Sequence, residues 1–174
     1  IARVRAAGEK LWPYAFGGYW RDVGTIDSLW DANMDMLSAT KLNLFDPSWP
    51  ITSRENVNTP QYIGKNARVE LSAVTGGCEI DGVVECSVLS PNVIIEEDTE
   101  IRYSIILPGA VIKSGAVIEY AIIGENTVIN SGAHVGAAPD GTDSWGIATC
   151  GPDIEIRSGV VVPPPAMIYT GEEV

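Results

Sequence analysis

Three stretches of equal length, SVLSPNVII (residues 87–95), SIILPGAVI (104–112) and AIIGENTVI (121–129), begin 17 residues apart in this chain of 174 residues. Within and between them, large aliphatic residues recur at steps of six, six and five. An α-helix would need a spacing of about 3.6 residues, which this pattern lacks. A fixed internal period is the signature of a repeat architecture. The pattern predicts short β-strands joined by tight corners, three to a coil, with one aliphatic anchor from each side inside a triangular tube.

The anchors of the three regular coils are the predicted inward-facing residues. They are Leu89, Ile95, Ile101, Ile106, Ile112, Ile118, Ile123, Ile129 and Val135. Smaller residues stand two positions before an anchor, in the columns Val93, Ala110, Thr127 and Thr99, Ala116, Ala133. This arrangement resembles the hexapeptide-repeat left-handed parallel β-helix, and the handedness is implied by that resemblance alone.

The same stepping extends beyond the three regular coils in both directions. It begins at Val57, and the second coil is two residues short near Asp81-Gly82. Between residues 136 and 149 the chain has about ten residues more than the regular spacing between anchors. They are rich in turn-forming types and are predicted to form a loop. The anchors resume at Cys150 and are predicted to end at Met167.

The residues before the repeat have a different pattern. Residues 2–8 read as the end of a helix closed by a glycine. The alternating aromatic segments 10–16 and 19–23 predict two short strands. Thr25 is placed to cap a helix over Ile26–Leu37, because its hydroxyl can accept from a free backbone N–H.

The bulk composition narrows the class of protein. The net charge of −12 argues against nucleic-acid binding, which needs a cationic surface. No run of about 18 apolar residues is present, so we expect no membrane span and a cytoplasmic protein. Ile1 starts without a methionine or a leader, and we expect a piece of a longer polypeptide. Cys78, Cys86 and Cys150 have no zinc-site spacing and are expected to be packed thiols.

The segments YWRDVGTIDSLWDANMDML (19–37) and FDPSWPI (45–51) resemble the bacterial glucose-1-phosphate adenylyltransferase family. The resemblance implies the tail of an α/β nucleotidyltransferase domain at 1–38, a linker at 39–56 and the left-handed β-helix at 57–174. It further implies that Asp22 binds the catalytic Mg²⁺, with Tyr19, Trp20 and Arg21 near the sugar-phosphate pocket. From the residues alone, Asp22 could equally have a structural role, paired with Arg21 or a backbone N–H.

The family's reaction joins ATP and glucose 1-phosphate into ADP-glucose and pyrophosphate, for glycogen synthesis. The resemblance implies that the β-helix supports self-association, to a homotetramer in the parent, and takes part in allosteric control. No glycine-rich phosphate-binding loop is present, so we expect this chain to be inactive alone and to hold no cofactor. The basic residues of the β-helix are spread out, and Glu119 stands where some relatives have arginine, which argues against a sugar-bisphosphate effector.

Other functions stay open at this point. A hexapeptide-repeat acyltransferase would need a catalytic histidine, and His134 is the single candidate, with no evident carboxylate to orient it. A sibling sugar-nucleotide enzyme of the GDP-mannose type is a further alternative, as is a noncatalytic sister subunit.

Overall fold

The computed structural model describes residues 1–38, 40–44, 46–52 and 58–169. In these ranges two helices, α1 (Ala2–Ala6) and α2 (Ile26–Asp35), precede an array of short strands. The strands form three parallel six-stranded sheets, and each sheet takes every third strand along the chain. The fold is therefore the predicted three-sided β-helix. Val57, the predicted first anchor, lies outside the described residues.

The three sheets are named I, II and III. Sheet I contains β1 (Tyr62–Ile63), β4 (Glu79–Ile80), β7 (Ile94–Ile95), β10 (Val111–Ile112), β13 (Val128–Ile129) and β16 (Glu155–Ile156). Sheet II contains β2 (Arg68–Glu70), β5 (Val83–Glu85), β8 (Glu100–Arg102), β11 (Val117–Glu119), β14 (His134–Gly136) and β17 (Val161–Val162). Sheet III contains β3 (Ala73–Val74), β6 (Val88–Leu89), β9 (Ile105–Ile106), β12 (Ala121–Ile123), β15 (Ala148–Cys150) and β18 (Met167–Ile168).

The strand register follows the sequence period. Ile94 pairs with Val111, and Val111 with Val128, so each partner is 17 residues further along the chain. Glu79 pairs with Ile94 at an interval of 15, which confirms the short second coil. Val128 pairs with Glu155 at an interval of 27, which confirms that ten residues leave the coil as a loop.

The nine anchors form the centre of the core. Each is at most 1% exposed, and Leu89, Ile106 and Ile123 lie directly above one another in sheet III. The smaller residues of the two corner columns are fully buried as well. Aliphatic side chains from three sides thus fill one continuous interior, and each coil is stabilised mainly by its two neighbours.

The last coil differs from the prediction at one anchor. Cys150 pairs with Ile168, and Met167, which was predicted to face inward, pairs with Thr149 and is 44% exposed. The interval between Cys150 and Ile168 is 18, so the Pro163–Pro165 corner holds one residue more than a regular corner. Because side chains alternate along a strand, this single extra residue turns Met167 outward.

The three cysteines are free thiols, as predicted. Cys78 and Cys150 point into the interior, and burial raises the pKa of Cys150 to about 12. Cys86 lies at a corner and is half-buried.

The corner between sheets II and III is built from single residues with positive φ. Leu71, Cys86, Tyr103 and Tyr120 occupy it in successive coils, with φ between 46° and 48°. The rings of Tyr103 and Tyr120 stack with their centroids 4.8 Å apart. The corner therefore presents an aromatic ridge on the outside of the β-helix.

Helix α2 packs on this ridge. Its N-terminus has the predicted cap, in which the Thr25 hydroxyl accepts from the Ser28 backbone N–H and the Ser28 hydroxyl accepts in return from the Thr25 N–H. The apolar contact joins residues of α2, the outer surface of sheet III and the loop after β14: Ile26, Trp30, Met34, Ile105, Ile122, Ile147, Leu107, Tyr120 and Trp145. The indole Nε1 of Trp30 also donates to the Tyr103 carbonyl at 2.7 Å.

The strands predicted before the repeat are wrong. Residues 10–16 and 19–23 have no strand partner among the described residues, and Trp12, Tyr14 and Trp20 are 74–88% exposed. A strand requires a hydrogen-bonded neighbour, and alternation alone does not supply one. Helix α2 also ends at Asp35, two residues before the predicted end. No helix in the described part of the chain has the length and hydropathy needed to cross a lipid bilayer.

Candidate functional site

A buried carboxylate at the end of α2 organises the segment predicted to carry the chemistry. Asp35 is 3% exposed. Its Oδ2 accepts from Arg21 Nε at 3.1 Å, from Arg21 Nη2, and from the Tyr19 hydroxyl at 3.2 Å. Its Oδ1 accepts from Lys41 Nζ at 2.7 Å. We call these four residues the Asp35 cluster.

The remaining guanidinium nitrogen of Arg21 is engaged too. Arg21 Nη1 donates to Asp31 Oδ2 at 3.1 Å, one turn before Asp35 on the same helix. Residues four apart on a helix lie on one face, so Asp31 and Asp35 together present two carboxylates to one guanidinium.

The electrostatics of the cluster follow from these contacts. The ammonium of Lys41, followed by Arg21 and Tyr19, holds the pKa of Asp35 below its ordinary value against the opposing effect of burial. The carboxylate of Asp35 in turn raises the pKa of Arg21. A buried carboxylate without such partners would cost several kcal/mol of stability, so its partners are part of the fold.

The pH dependence of stability provides one test of the cluster. At pH 7 we expect Asp35→Asn to lower the free energy of unfolding by about 1–2 kcal/mol, because hydrogen bonds to a charged group are lost. The pKa of Asp35 is lowered in the folded state, so its contribution is complete above the ordinary value of 3.8 and disappears as the pH falls through the folded value. Urea titrations of both proteins between pH 7 and pH 3 should therefore converge toward low pH.

Asp31→Asn is the matched control for that experiment. The Asp31 side chain is 50% exposed, and an exposed ion pair contributes at most about 1 kcal/mol. A difference between Asp35→Asn and the unsubstituted protein that stays constant down to pH 3 would contradict the role of the ionised carboxylate.

Asp22, the predicted magnesium ligand, does not belong to the cluster. It is exposed, and its Oδ1 accepts from the backbone N–H of Gly24 at 3.2 Å. No group of three carboxylate, histidine or cysteine side chains that could hold a metal ion occurs in residues 1–38, 40–44, 46–52 or 58–169. Mg²⁺ is commonly held by one or two carboxylates together with substrate phosphates, so the single exposed carboxylate of Asp22 fits one position in such a site.

The other predicted site residues line one cleft. Tyr19, Trp20 and Arg21 form its wall on one side, and residues of α2, among them Leu29 and Asn33, form the other. The cleft has a volume of about 460 Å³ and is wide open to solvent. Tyr19, Trp20 and Arg21 therefore line the same cleft, and Asp22 is not among its lining residues.

Three basic side chains of the β-helix, those of Arg68, Arg102 and Lys113, face carboxylates. The ion pairs on its outer surface are Arg68–Glu70, Arg68–Glu85, Arg102–Glu85, Arg102–Glu100, Arg102–Glu119 and Lys113–Glu96. An anion site needs clustered cations whose charge is available. The pairing thus agrees with the sequence argument against an anionic effector at these residues.

His134 is the candidate base of the acyltransferase alternative. Its side chain is 40% exposed on the outside of β14, and Nε2 lies 3.6 Å from Glu119 Oε2. This carboxylate was not evident from the sequence, because Glu119 belongs to the preceding coil and is adjacent only in the fold. The separation exceeds hydrogen-bond length, and Glu119 is shared with Arg102, which lies 3.5 Å away.

Comparison with known proteins identifies the family. A family model described as GlmU-like, C-terminal hexapeptide matches residues 59–148, more than half of the chain. The chain belongs to this hexapeptide family. The match covers the first four coils of the β-helix, strands β13 and β14 of the fifth, and the loop after β14 up to the first residue of β15.

Curated relatives add a more specific similarity to this member of the hexapeptide family. A glucose-1-phosphate adenylyltransferase of Acetivibrio thermocellus is 45% identical over 102 residues, covering 58% of this chain and 24% of the relative. The enzymes of that name from Clostridium botulinum (strain Eklund 17B) and Clostridioides difficile are 50% and 46% identical, over 55% and 58% of this chain and 25% and 26% of theirs. The chain thus spans about a quarter of the length of the curated relatives it matches.

Sequence reasoning missed two residues of this hexapeptide-family chain. Asp35 and Lys41 complete the cluster, and neither was singled out beforehand. A partial signal was present, because Asp31 and Asp35 have i, i+4 spacing and Tyr19 and Arg21 alternate in an extended segment. Nothing in the sequence connects Lys41, within the predicted linker, to them.

Proposed function

We propose that this chain is the C-terminal part of a glucose-1-phosphate adenylyltransferase. The observation that carries the proposal is the 45–50% identity to enzymes of that name over 55–58% of the chain. In the proposed reaction a phosphate oxygen of glucose 1-phosphate attacks the α-phosphorus of ATP. The bond to the β-phosphate breaks, and ADP-glucose and pyrophosphate are released.

Asp22 is the residue of this chain that we assign to the metal. When bound, Mg²⁺ would neutralise charge on the phosphates. The side chains of Asp22 and Trp20 are both exposed, Trp20 at 74%. Tyr19 and Arg21 support the same segment through Asp35.

The β-helix is proposed to serve assembly, as a homotetramer in the cytoplasm, with regulation as a further role. In and next to its last described strands, the apolar side chains of Val161, Met167 and Tyr169 are 44–66% exposed. Exposed apolar side chains that lie close together support a role in subunit contact.

The proposal can be tested by restoring the missing length. A fusion that places the N-terminal part of the Clostridium botulinum relative before Ile1 should release pyrophosphate from ATP and glucose 1-phosphate, and the 174-residue chain alone should not. Acetyl transfer from acetyl-CoA that His134→Ala abolishes would overturn the proposal in favour of the acyltransferase.

Within that fusion, Asp22→Asn is expected to lower kcat by about a hundredfold, since a charge that stabilises the transition state is removed. Steady-state pyrophosphate release at saturating substrates measures the effect. Asp27→Asn is the matched control, because Asp27 is also an exposed carboxylate, five residues away. Full activity in Asp22→Asn would remove Asp22 from the metal site.

A further inference from the structure

We propose that Asp35 is a positioning residue that holds the segment 19–22 against α2 and thereby fixes the place of Asp22, which lies outside this contact. The inference rests on the proposed function for the role of Asp22. It assigns Tyr19 and Arg21 to the contact with Asp35.

The first argument is the engagement of Arg21. Three of its five N–H groups donate to carboxylates, from Nε and Nη2 to Asp35 and from Nη1 to Asp31. Two carboxylates therefore already hold the guanidinium and offset its charge. Since Asp35 is 3% exposed, losing Arg21 would also leave a buried carboxylate with fewer donors.

The second argument is the place of Asp22 directly beside the contact. Tyr19 and Arg21 both donate to Asp35, whereas the Asp22 carboxylate is exposed and accepts from the Gly24 N–H. Because Asp22 follows Arg21 in the chain, fixing Arg21 to the helix restricts where Asp22 can lie.

The third argument is that the helix carrying Asp35 is itself anchored. Ile26, Trp30 and Met34 pack on the β-helix, and Trp30 Nε1 bonds the Tyr103 carbonyl at 2.7 Å. Lys41, beyond the helix, reaches back to Asp35 Oδ1 at 2.7 Å. The segment 19–22 is thus held through Asp35 to a helix that is packed on the β-helix core.

Limited trypsin digestion of the complete 174-residue chain tests the contact directly. Trypsin must draw the Arg21 side chain into its specificity pocket, so release of Asp35 should expose the Arg21–Asp22 bond. We expect Asp35→Asn to increase the cleavage rate at Arg21 about tenfold, and at Lys41 as well. In Asp31→Asn, where Asp35 still holds Arg21, we expect about a twofold increase or less at Arg21.

Chymotrypsin provides the check on folding. Cleavage after Trp30 would report that α2 has left the β-helix. Should Asp35→Asn show that cleavage, Arg21→Gln is the second variant, since Asp35 then keeps Lys41 and Tyr19. Equal cleavage rates at Arg21 in Asp35→Asn and Asp31→Asn, with α2 in place, would overturn the contact.

The role toward Asp22 is tested in the active fusion. Asp35→Asn and Arg21→Gln should raise the Mg²⁺ concentration for half-maximal activity about tenfold, with recovery of kcat at high Mg²⁺, because a misplaced ligand binds the ion more weakly. An unchanged Mg²⁺ requirement in both variants would overturn the positioning role. No activity in the unsubstituted fusion would overturn the proposed function and with it the role toward Asp22, and the digestion would still decide whether Asp35 holds the segment.

Discussion

Ile95→Ala is expected to lower the free energy of unfolding by about 2–5 kcal/mol, the range for truncating a buried isoleucine or leucine. Ile95 is 1% exposed in β7 and pairs with Ile80 on one side and Ile112 on the other. Truncation would leave a cavity at the centre of the tube that the rigid coils above and below cannot fill. Urea unfolding followed by far-UV circular dichroism measures the change.

The neighbouring residue supplies the control for that prediction. Ile94 stands in the same strand, has the same chemistry, and is 37% exposed on the outer face of sheet I. Ile94→Ala is expected to cost less than about 1 kcal/mol, since it creates no enclosed cavity. Equal losses in the two variants would mean that the interior of the tube is not where the stability arises.

Gly136→Ala is expected to cost about 2–5 kcal/mol, from two effects that act together. Gly136 has φ +78°, which L-residues adopt at a penalty. A Cβ built there would also lie 1.9 Å from the backbone carbonyl oxygen of Glu119, in the preceding coil. Backbone cannot move aside as a side chain can, so the corner or the strand pairing between β11 and β14 must open.

Gly132→Ala separates the two effects. Gly132 has a similar φ of +68°, but a Cβ there would meet nothing within 4 Å. Gly132→Ala should lower the free energy of unfolding only by the penalty for a positive φ, about 1–2 kcal/mol. Equal stability of the two variants in thermal and urea unfolding would mean that steric contact with the preceding coil does not decide which residue fits at position 136.

Much of the fold could be predicted because its defining contacts repeat. Leu89 meets Ile106 and Ile106 meets Ile123 at the interval that the sequence itself displays. The prediction failed at Met167. One added residue in the preceding corner changed the spacing between anchors and turned the Met167 side chain outward. It failed again at residues 10–16 and 19–23, where alternation was present and a strand partner was not.

The candidate site was predictable only in part. Tyr19, Trp20, Arg21 and Asp22 could be singled out by resemblance, and the bonding of Tyr19 and Arg21 to one buried carboxylate could not. That carboxylate belongs to Asp35, 14 and 16 residues further along the chain from its partners. His134 and Glu119 show the same limit, since two coils must stack before they come within 3.6 Å.

What the sequence by itself determined is the three-sided tube, its period and the residues that fill it, because a repeated local pattern has only one way to bury all its aliphatic side chains at once. The tertiary structure decided how α2 lies on the aromatic ridge and how Asp35 orients the segment before it. Those contacts join residues far apart in the chain, 73 positions in the case of Trp30 and Tyr103, and occur once. A single contact without periodicity leaves no pattern along the chain, so only packing in three dimensions reveals it.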